Sequence, residues 1–456
     1  MNTADVFYSS ISDALVEQGN NVFKLDILSY CSADFNLNTL KLENPKLLDE
    51  VKDFKPDLVI ATNNALPDEL ANSLTCDICL LDADNPLYFF NKKNILKYPN
   101  KYKFIGMQSY SSNLYEQFFK DAFKEENFLL MPSATTMVSE ELKIDKNISF
   151  IGTNFLESTL TQNKYFLNHR FIPLFKEIKN NFFVSKDEEY KKYKDTLTFK
   201  EFDNLFELIK LFYTGQERIK SLDMVSDLGL SLYGFKTWPS CANINLDVFS
   251  CHKDELIVDF KSNQRVYNSS KISLNISHPQ AIKAFSWRVM DIMATNSCLL
   301  MEAKDDWYSL FGDYLTDDVK EAIIYKDKFE IREKAKELLN NEELRLKCVK
   351  QCQNAIEKNG RWHHRFKLLE NFLNIKINNL DNKDAKIILP NNHSKNIRQV
   401  KPQEKKKNLK NNLSLLFSCA VVFIYNLIIP RVFIPRKLYI NQLKKISKTY
   451  NKEVKN

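Results

Sequence analysis

Residues 271–302 read KISLNISHPQAIKAFSWRVMDIMATNSCLLME, and the order of apolar and polar positions in this stretch decides the fold class. Ile272, Leu274 and Ile276 alternate as one face of a strand does, and Ser297 to Met301 is a short apolar run suited to a buried parallel strand. Between them Ser286 stands where it can cap a helix through Asp291 to Thr295, and Asn296 where a left-handed residue would end it. Strand, loop, helix and strand make a βαβ unit, so the expectation is an α/β fold with a parallel sheet. The loop is the expected ligand site. Unpaired N–H groups at the start of the helix favour phosphate, Arg288 adds a bidentate cation, and Asp291 one turn on can accept from sugar hydroxyls.

Asn275, His278, Arg288, Asp291, Ala294 and Asn296 fill a pattern that resembles the nucleotide-sugar half of GT-B glycosyltransferases, in particular the bacterial group of spore-maturation glycosyltransferases. There a strand ending in an Asn-x-x-His-like turn precedes Arg, two apolar residues and an acid, then Ala-x-Gly. The acid holds the ribose of the donor, which implies that role for Asp291. Asn296 replaces the usual Gly and is the next-best left-handed residue. Retaining members often carry a second Glu eight positions before the ribose acid. That position is Lys283, so inversion and retention both stay open.

The resemblance continues on either side. Upstream, LSLYGFKTW (230–238) is similar to the family's strand ending in Tyr-Gly-x-x-Trp, which places Tyr233 and Gly234 among the nucleotide-sugar contacts, with Tyr233 to Trp238 as a stacking wall for the base. Downstream, residues 325–373 resemble its closing helices, which end in a His-Arg pair filled by His364 and Arg365. What this implies is a GT-B architecture of two Rossmann-like domains facing a cleft, a UDP-sugar as the expected donor, and neither a metal nor a cofactor. His278 is expected to touch phosphate or the transferred sugar.

At 456 residues the chain can hold two domains with full cores. The net charge of +7 is unevenly placed: from Lys376 onward there are 18 Lys or Arg and 4 Asp or Glu, so the tail carries +14 and the body −7. A body of that sign argues against a nucleic-acid partner, which would spread basic charge over a folded face. Nine cysteines, an odd number, and an N-terminus without an apolar signal region favour a reducing cytosol.

Residues 1–147 are expected to form the acceptor-side domain by βα winding: helices over 9–18, 44–54, 66–74 and 111–123, and strands over 21–27, 56–62, 76–81 and 103–107. A first, central strand is missing from this pattern. Either Val6 to Tyr8 substitutes for it or the true start lies upstream. Asp82 and Asp84 follow a strand in LLDADNP, and the carboxyl ends of strands are where open α/β sheets hold ligands, so Asp84 is the candidate catalytic base.

Residues 148–374 are expected to be the nucleotide-sugar domain, opened by a strand over 147–155 and interrupted by a helical insertion (156–222), read either as a core-packing helix pair or as a wall of the acceptor side. An Asn- and Lys-rich linker is expected over 375–412. The run LSLLFSCAVVFIYNLIIP (413–430) has no charge in eighteen residues. At about 1.5 Å per residue it covers about 27 Å, close to a bilayer core. Lysines and arginines flank it on both sides and suit anionic headgroups, so residues 413–456 are expected to attach the chain to a membrane by a spanning or re-entrant helix.

The function these features imply is transfer of a sugar from a nucleotide donor to a glycan or glycolipid acceptor, such as lipooligosaccharide, capsule or a lipid-linked glycan, at the cytoplasmic face of the bacterial inner membrane. The competing expectation is a catalytically degenerate GT-B protein that binds nucleotide sugar or glycan as an assembly factor.

Overall fold

The computed structural model describes residues 4–391 apart from 35–37, 87–88, 157–168, 183, 235–237, 256, 258 and 279–280. The apolar run 413–430 and its basic flanks lie outside the described residues, and among those described no helix is long and apolar enough to cross a membrane. The chain divides into one unit up to Asn392 and a second from His393.

The chain opens with helix α1 (Ala4–Glu17). Ile11, Ala14 and Leu15, spaced as one helical face, pack into a core with Cys79, Leu81 and Ile105. Gly19 ends the helix at φ +83°, and a Cβ there would stand 1.9 Å from the Asn379 carbonyl. Strand β1 (Val22–Phe23) follows, then a hairpin of β2 (Cys31–Asp34) and β3 (Thr39–Leu42), helix α2 (Lys46–Phe54) and strand β4 (Leu58–Thr62). Helices α3 (Asp68–Ser73), α4 (Lys92–Lys97) and α5 (Ser111–Phe119) alternate with strands β5 (Asp77–Leu81), β6 (Tyr102–Gly106) and β7 (Phe128–Leu130). The sheet runs β4-β5-β6-β7, parallel throughout.

Two expectations are corrected here. Val6 to Tyr8 lie inside α1, so no substitute first strand forms, and β4 is an edge with no strand beside it among the described residues. The strand expected over 21–27 shrinks to the two residues of β1, because the sequence after Phe23 turns through a short 3₁₀ segment into the unforeseen β2-β3 hairpin.

The second sheet begins with β8 (Lys146–Ile151). The insertion follows as α6 (Ile172–Asn180), α7 (Lys186–Lys191) and the 25-residue α8 (Phe199–Asp223). Thr198 starts α8 through a capping box, accepting from Glu201 N while Glu201 accepts from Thr198 N. Phe171, Leu174, Ile178, Phe202, Leu205 and Phe206 give the insertion its own small core. Then come β9 (Leu230–Tyr233), α9 (Leu246–Ser250), α10 (Phe260–Asn268), β10 (Ser270–Asn275), α11 (Arg288–Met293), β11 (Cys298–Glu302), α12 (Asp305–Phe311), α13 (Asp317–Ile323), β12 (Ile324–Tyr325), α14 (Glu330–Asn340), α15 (Glu342–Asn359) and α16 (Trp362–Leu373). Its order is β12-β11-β10-β8-β9, again all parallel, which puts β10 at the centre. Two parallel sheets with covering helices are the α/β architecture the sequence implied.

Helix α16 returns to the first sheet. Trp362, Phe366 and Leu369 join the core that holds Ile11 and Ile105, and Trp362 Nε1 donates to Ser10 Oγ at 2.7 Å. Arg365 is buried and donates to the carbonyls of Pro132 (2.8 Å) and Asn359 (2.7 Å). Of the His-Arg pair, Arg365 therefore ties the closing helix to the segment between the sheets, while His364 Nδ1 accepts from Arg361 N at the start of the same helix. Residues 375–391, expected as linker, are mostly exposed but anchored at two points: Ile377 is buried, and strand β13 (Ile387–Ile388) pairs in parallel with β1. The apolar island IILP is what makes that strand.

Candidate functional site

The carboxyl end of the central strand β10 carries the site. Asn275, the last strand residue, is 2% exposed, and neither its Oδ1 nor its Nδ2 has a hydrogen-bond partner; its backbone carbonyl accepts from Tyr325 Oη at 3.1 Å. Ser277, two residues on, is buried with an equally unpartnered Oγ. Leaving a buried polar group unpaired costs about 1–3 kcal/mol, so two such side chains at one strand end mark a place where something else completes the bonding.

His278 follows in the loop, with the rings of Phe155 (5.2 Å) and Phe182 (6.4 Å) edge-on to it. Burial, then the charges of Arg218 and Lys210, push its imidazole down to about 4. It is neutral at physiological pH and offers one donor and one acceptor, which suits a sugar hydroxyl better than a phosphate.

Helix α11 is shorter than expected. It has six residues, Trp287 stands at its N-cap position without a side-chain capping bond, and Ser286 Oγ accepts only weakly from Arg288 N at 3.4 Å. Asn296 does not adopt the left-handed conformation; its amide bonds to the Glu140 carbonyl at 2.7 Å and its N–H to Asn268 Oδ1 at 3.0 Å. So short a helix contributes little dipole, and the cation carries the burden of any anion. Arg288 is half-buried, 5.9 Å from the Trp287 ring, and has no ion-pair partner among the described residues. Asp291, in the first turn, is 7% exposed and accepts from Thr135 Oγ1 at 2.6 Å. Burial pushes its carboxyl up to about 7, against the lowering effects of Thr135 and Arg288.

Arg218, which the sequence did not single out, reaches this place from α8. It is 2% exposed, with Nη1 donating to Thr153 O (2.8 Å) and Nη2 to Ile276 O (3.0 Å), so it bridges the ends of β8 and β10. Its Nε has no partner. Burial, followed by the charge of Arg288, brings its guanidinium down to about 9, still protonated at neutral pH. Lys210, Thr214 and Arg218 lie at i, i+4 and i+8 on α8, a polar stripe beside the insertion's apolar face that was visible in the sequence.

Tyr233 and Trp238 are corrected from a stacking wall to core. Both are buried, and Trp238 Nε1 donates to Gly152 O at 2.9 Å, so neither ring offers a face to a base; the intervening residues 235–237 lie outside the described residues. Gly234 serves the same packing, for a Cβ there would stand 1.9 Å from Gly152 O.

Across in the first sheet, Asp84 is exposed at the end of β5. Its Oδ2 accepts from Asn63 Nδ2 at 2.8 Å, and Asn63 Oδ1 accepts from the N–H groups of Ala83 and Asp84. Asp82 is buried and accepts from Met107 N at 2.6 Å, a brace for the loop before α5. Of the residues singled out from sequence, the structure gathers Asn275, His278, Arg288 and Asp291 around the end of β10 and leaves Asp84 on the other sheet. The sheets do meet nearby: Ser109 N, after β6, donates to Asp306 Oδ2 at 2.9 Å at the start of α12. Among the described residues no group of three or more His, Cys, Asp or Glu side chains is placed to hold a metal ion.

Residues 238–371 match the family described as Glycosyl transferase-like. That stretch contains Asn275, His278, Arg288 and Asp291. Similar solved structures include TarM (11% identity, 72% of this chain and 57% of that one, TM-score 0.42), a glycosyltransferase from Rickettsia africae (9%, 72% and 82%, 0.42), and WaaG, a glycosyltransferase involved in lipopolysaccharide biosynthesis (10%, 72% and 80%, 0.40). The chain spans less than two thirds of the length of TarM. No curated protein matches it.

Proposed function

We propose that this chain is a glycosyltransferase that moves a sugar from a nucleotide donor, a UDP-sugar, to a glycan or glycolipid of the bacterial surface at the cytoplasmic face of the membrane. The observation that carries the reading is the end of β10, where Asn275 and Ser277 keep unpartnered polar groups and the following helix brings Arg288, which has no ion-pair partner among the described residues, inside the stretch that matches the glycosyl transferase-like family. The subgroup this reading favours is that of the spore-maturation glycosyltransferases, through Asn275, His278, Arg288 and Asp291.

In this reading Asp291 accepts from the ribose hydroxyls and Arg288 meets the negative charge that grows on the departing nucleoside diphosphate. Stabilising charge as it develops is where fixed cations act most strongly. His278, neutral and ringed by phenylalanines, orients the transferred sugar through a hydroxyl. Asp84, exposed on the facing sheet, takes the proton of the acceptor hydroxyl. Residues 413–456 hold the enzyme at the bilayer, where a lipid-linked acceptor is encountered at raised effective concentration.

A second reading has one observation in its favour. Asp291 is almost fully buried and already bonded to Thr135, as a structural carboxyl would be, which fits a GT-B protein that binds nucleotide sugar or glycan as an assembly factor. The discriminating experiment follows release of nucleoside diphosphate from a panel of nucleotide sugars in membranes carrying native acceptor lipids. Turnover by the wild type that is lost in Asp291→Ala supports the enzyme; UDP binding without turnover on any donor leaves the binding protein.

A further inference from the structure

Helix α8 belongs to the insertion, yet it places two cations toward the end of β10. Arg218 is nine-tenths buried and more, and no carboxylate among the described residues pairs with it. Its aromatic neighbours are Phe155, whose ring centre is 4.6 Å from the guanidinium carbon, and Phe150 at 5.6 Å. Lys210, two turns earlier, lies over the rings of Phe182 and Phe206 at 4.9 Å each, also without an ion pair among the described residues. By contrast Lys186 of the same insertion is matched by Asp203 and by Glu207. A buried guanidinium without a counter-ion is an unfavourable arrangement, since charge removed from water loses its hydration and gains no opposite charge in exchange. The two carbonyls it reaches satisfy part of its hydrogen bonding and none of its charge.

The unpartnered Nε of Arg218, both amide atoms of Asn275 and the Ser277 hydroxyl make four buried, unsatisfied polar atoms. They are linked through one residue: Arg218 bonds the carbonyl of Ile276, which lies between Asn275 and Ser277. Arg288 is close enough for its charge to act on Arg218. From this arrangement we infer that Arg218, with Asn275 and Ser277, forms an anion site for a phosphoryl group, and that the insertion thereby supplies one wall of the donor pocket rather than only packing. Resting on the glycosyltransferase reading, the phosphoryl group is that of the donor's diphosphate nearer the sugar, held between Arg218 and Arg288. Guanidinium groups donating to phosphoryl oxygens on two sides fix the leaving group in direction as well as charge. Lys210 adds field at the pocket without a directed bond.

A titration with three probes, UDP, uridine and inorganic pyrophosphate, tests this on the full chain in detergent or lipid. The wild type is expected to bind UDP at least 30-fold more tightly than uridine and to bind pyrophosphate detectably. Arg218→Gln is expected to lose 30- to 100-fold in UDP affinity with uridine affinity unchanged, Arg218→Lys to recover part of it, and Lys210→Met to lose about 3-fold, an effect that salt erases. Asn275→Asp covers the case in which Arg218→Gln does not fold, because the new carboxylate supplies the missing counter-ion. Its melting temperature is expected to rise while UDP and pyrophosphate binding disappear.

Unchanged UDP affinity in Arg218→Gln, or in Asn275→Asp where the former does not fold, would overturn the inference. Arg218 would then be a clasp between two strand ends, and the donor reading would stand on its own residues. Pyrophosphate binding that depends on Arg218, in a protein that binds neither UDP nor any nucleotide sugar, would keep the anion site and remove the donor. A wild type that binds none of the three probes would remove both.

Discussion

Thr135 Oγ1 donates to Asp291 Oδ1 at 2.6 Å, and the same hydroxyl accepts from Met137 N at 3.0 Å. Thr135 lies in the segment that passes from the first sheet to the second, and its own N–H donates to the Gly360 carbonyl at 3.1 Å. The side chain assigned to the ribose is therefore aimed by the joint between the two sheets. Thr135→Val keeps the shape and removes the donor. A hydrogen bond to a charged or partly charged group contributes about 1.5–3 kcal/mol, so donor KM is expected to rise about 10-fold or more while kcat changes little. Asp291→Ala, in contrast, is expected to lose more than 100-fold in kcat/KM. Steady-state kinetics on both variants checks the split.

Two buried carboxyls are expected to make stability depend on pH. Burial raises both Asp82 and Asp291 to about 7, far above the range of an exposed aspartate. Between about pH 4 and pH 7 the folded chain thus holds protons on these groups that the unfolded chain has released. Stability from them is fully present at the acid end of that window and falls as pH rises through 7. Each group contributes up to about 4 kcal/mol by linkage at roughly 1.4 kcal/mol per pKa unit. Asp82→Asn is expected to flatten the decline between pH 5 and pH 8, measured as the difference in urea unfolding free energy from the wild type.

The glycines sort into tight and open positions. A Cβ on Gly234 would stand 1.9 Å from Gly152 O and 2.7 Å from Trp238 Nε1, where backbone cannot yield cheaply; one on Gly312 meets nothing nearer than 3.9 Å. Gly234→Ala is expected to destabilise by more than about 2 kcal/mol, in line with overpacking of a dense core. Gly312→Ala, in a short 3₁₀ segment, stays within about 0.5 kcal/mol. Thermal unfolding of the pair separates them, and equal melting temperatures would count against the close approach of β9 to the Gly152 turn.

Strands β4, β5 and β6 of the first sheet and β8 to β11 of the second were legible through their own periods, such as the alternation in Ile272, Leu274 and Ile276 and the continuous apolar character of Cys298 to Met301, whereas β7 and β12, at three and two residues, are too short to carry one. What escaped the sequence depends on distant partners. Arg218 reads as a surface arginine of an amphipathic helix until β8 and β10 close over it. Trp238 reads as a loop aromatic until Gly152 offers its carbonyl. Ile387 and Ile388 read as an island in a linker because two residues pair with β1 only when the chain has returned across several hundred positions. The helix expected to start at Ser286 was overestimated since the capping pattern ignores how the loop before it is bent.

The return of β13 to β1 sets where the chain can be shortened. Removal of everything after Ile375 takes away Ile377, the β13 pairing and the bonds from Asn20 Nδ2 to Ile377 O (2.7 Å) and Asn382 Nδ2 to Gly19 O (2.9 Å). Loss of a buried isoleucine alone costs about 2–5 kcal/mol, so that chain is expected to melt many degrees lower. A chain ending at Asn391 keeps these contacts and is expected to melt within about 2 °C of the full one. If residues 413–456 bring the enzyme to its acceptor, this second truncation turns over a soluble acceptor analogue at the wild-type rate and leaves the membrane fraction. Its rate on acceptor in vesicles then falls 10- to 100-fold, the loss expected when a tethered encounter becomes a free one. Equal rates on vesicles, with the truncated chain still sedimenting with them, would assign membrane attachment to the folded part instead.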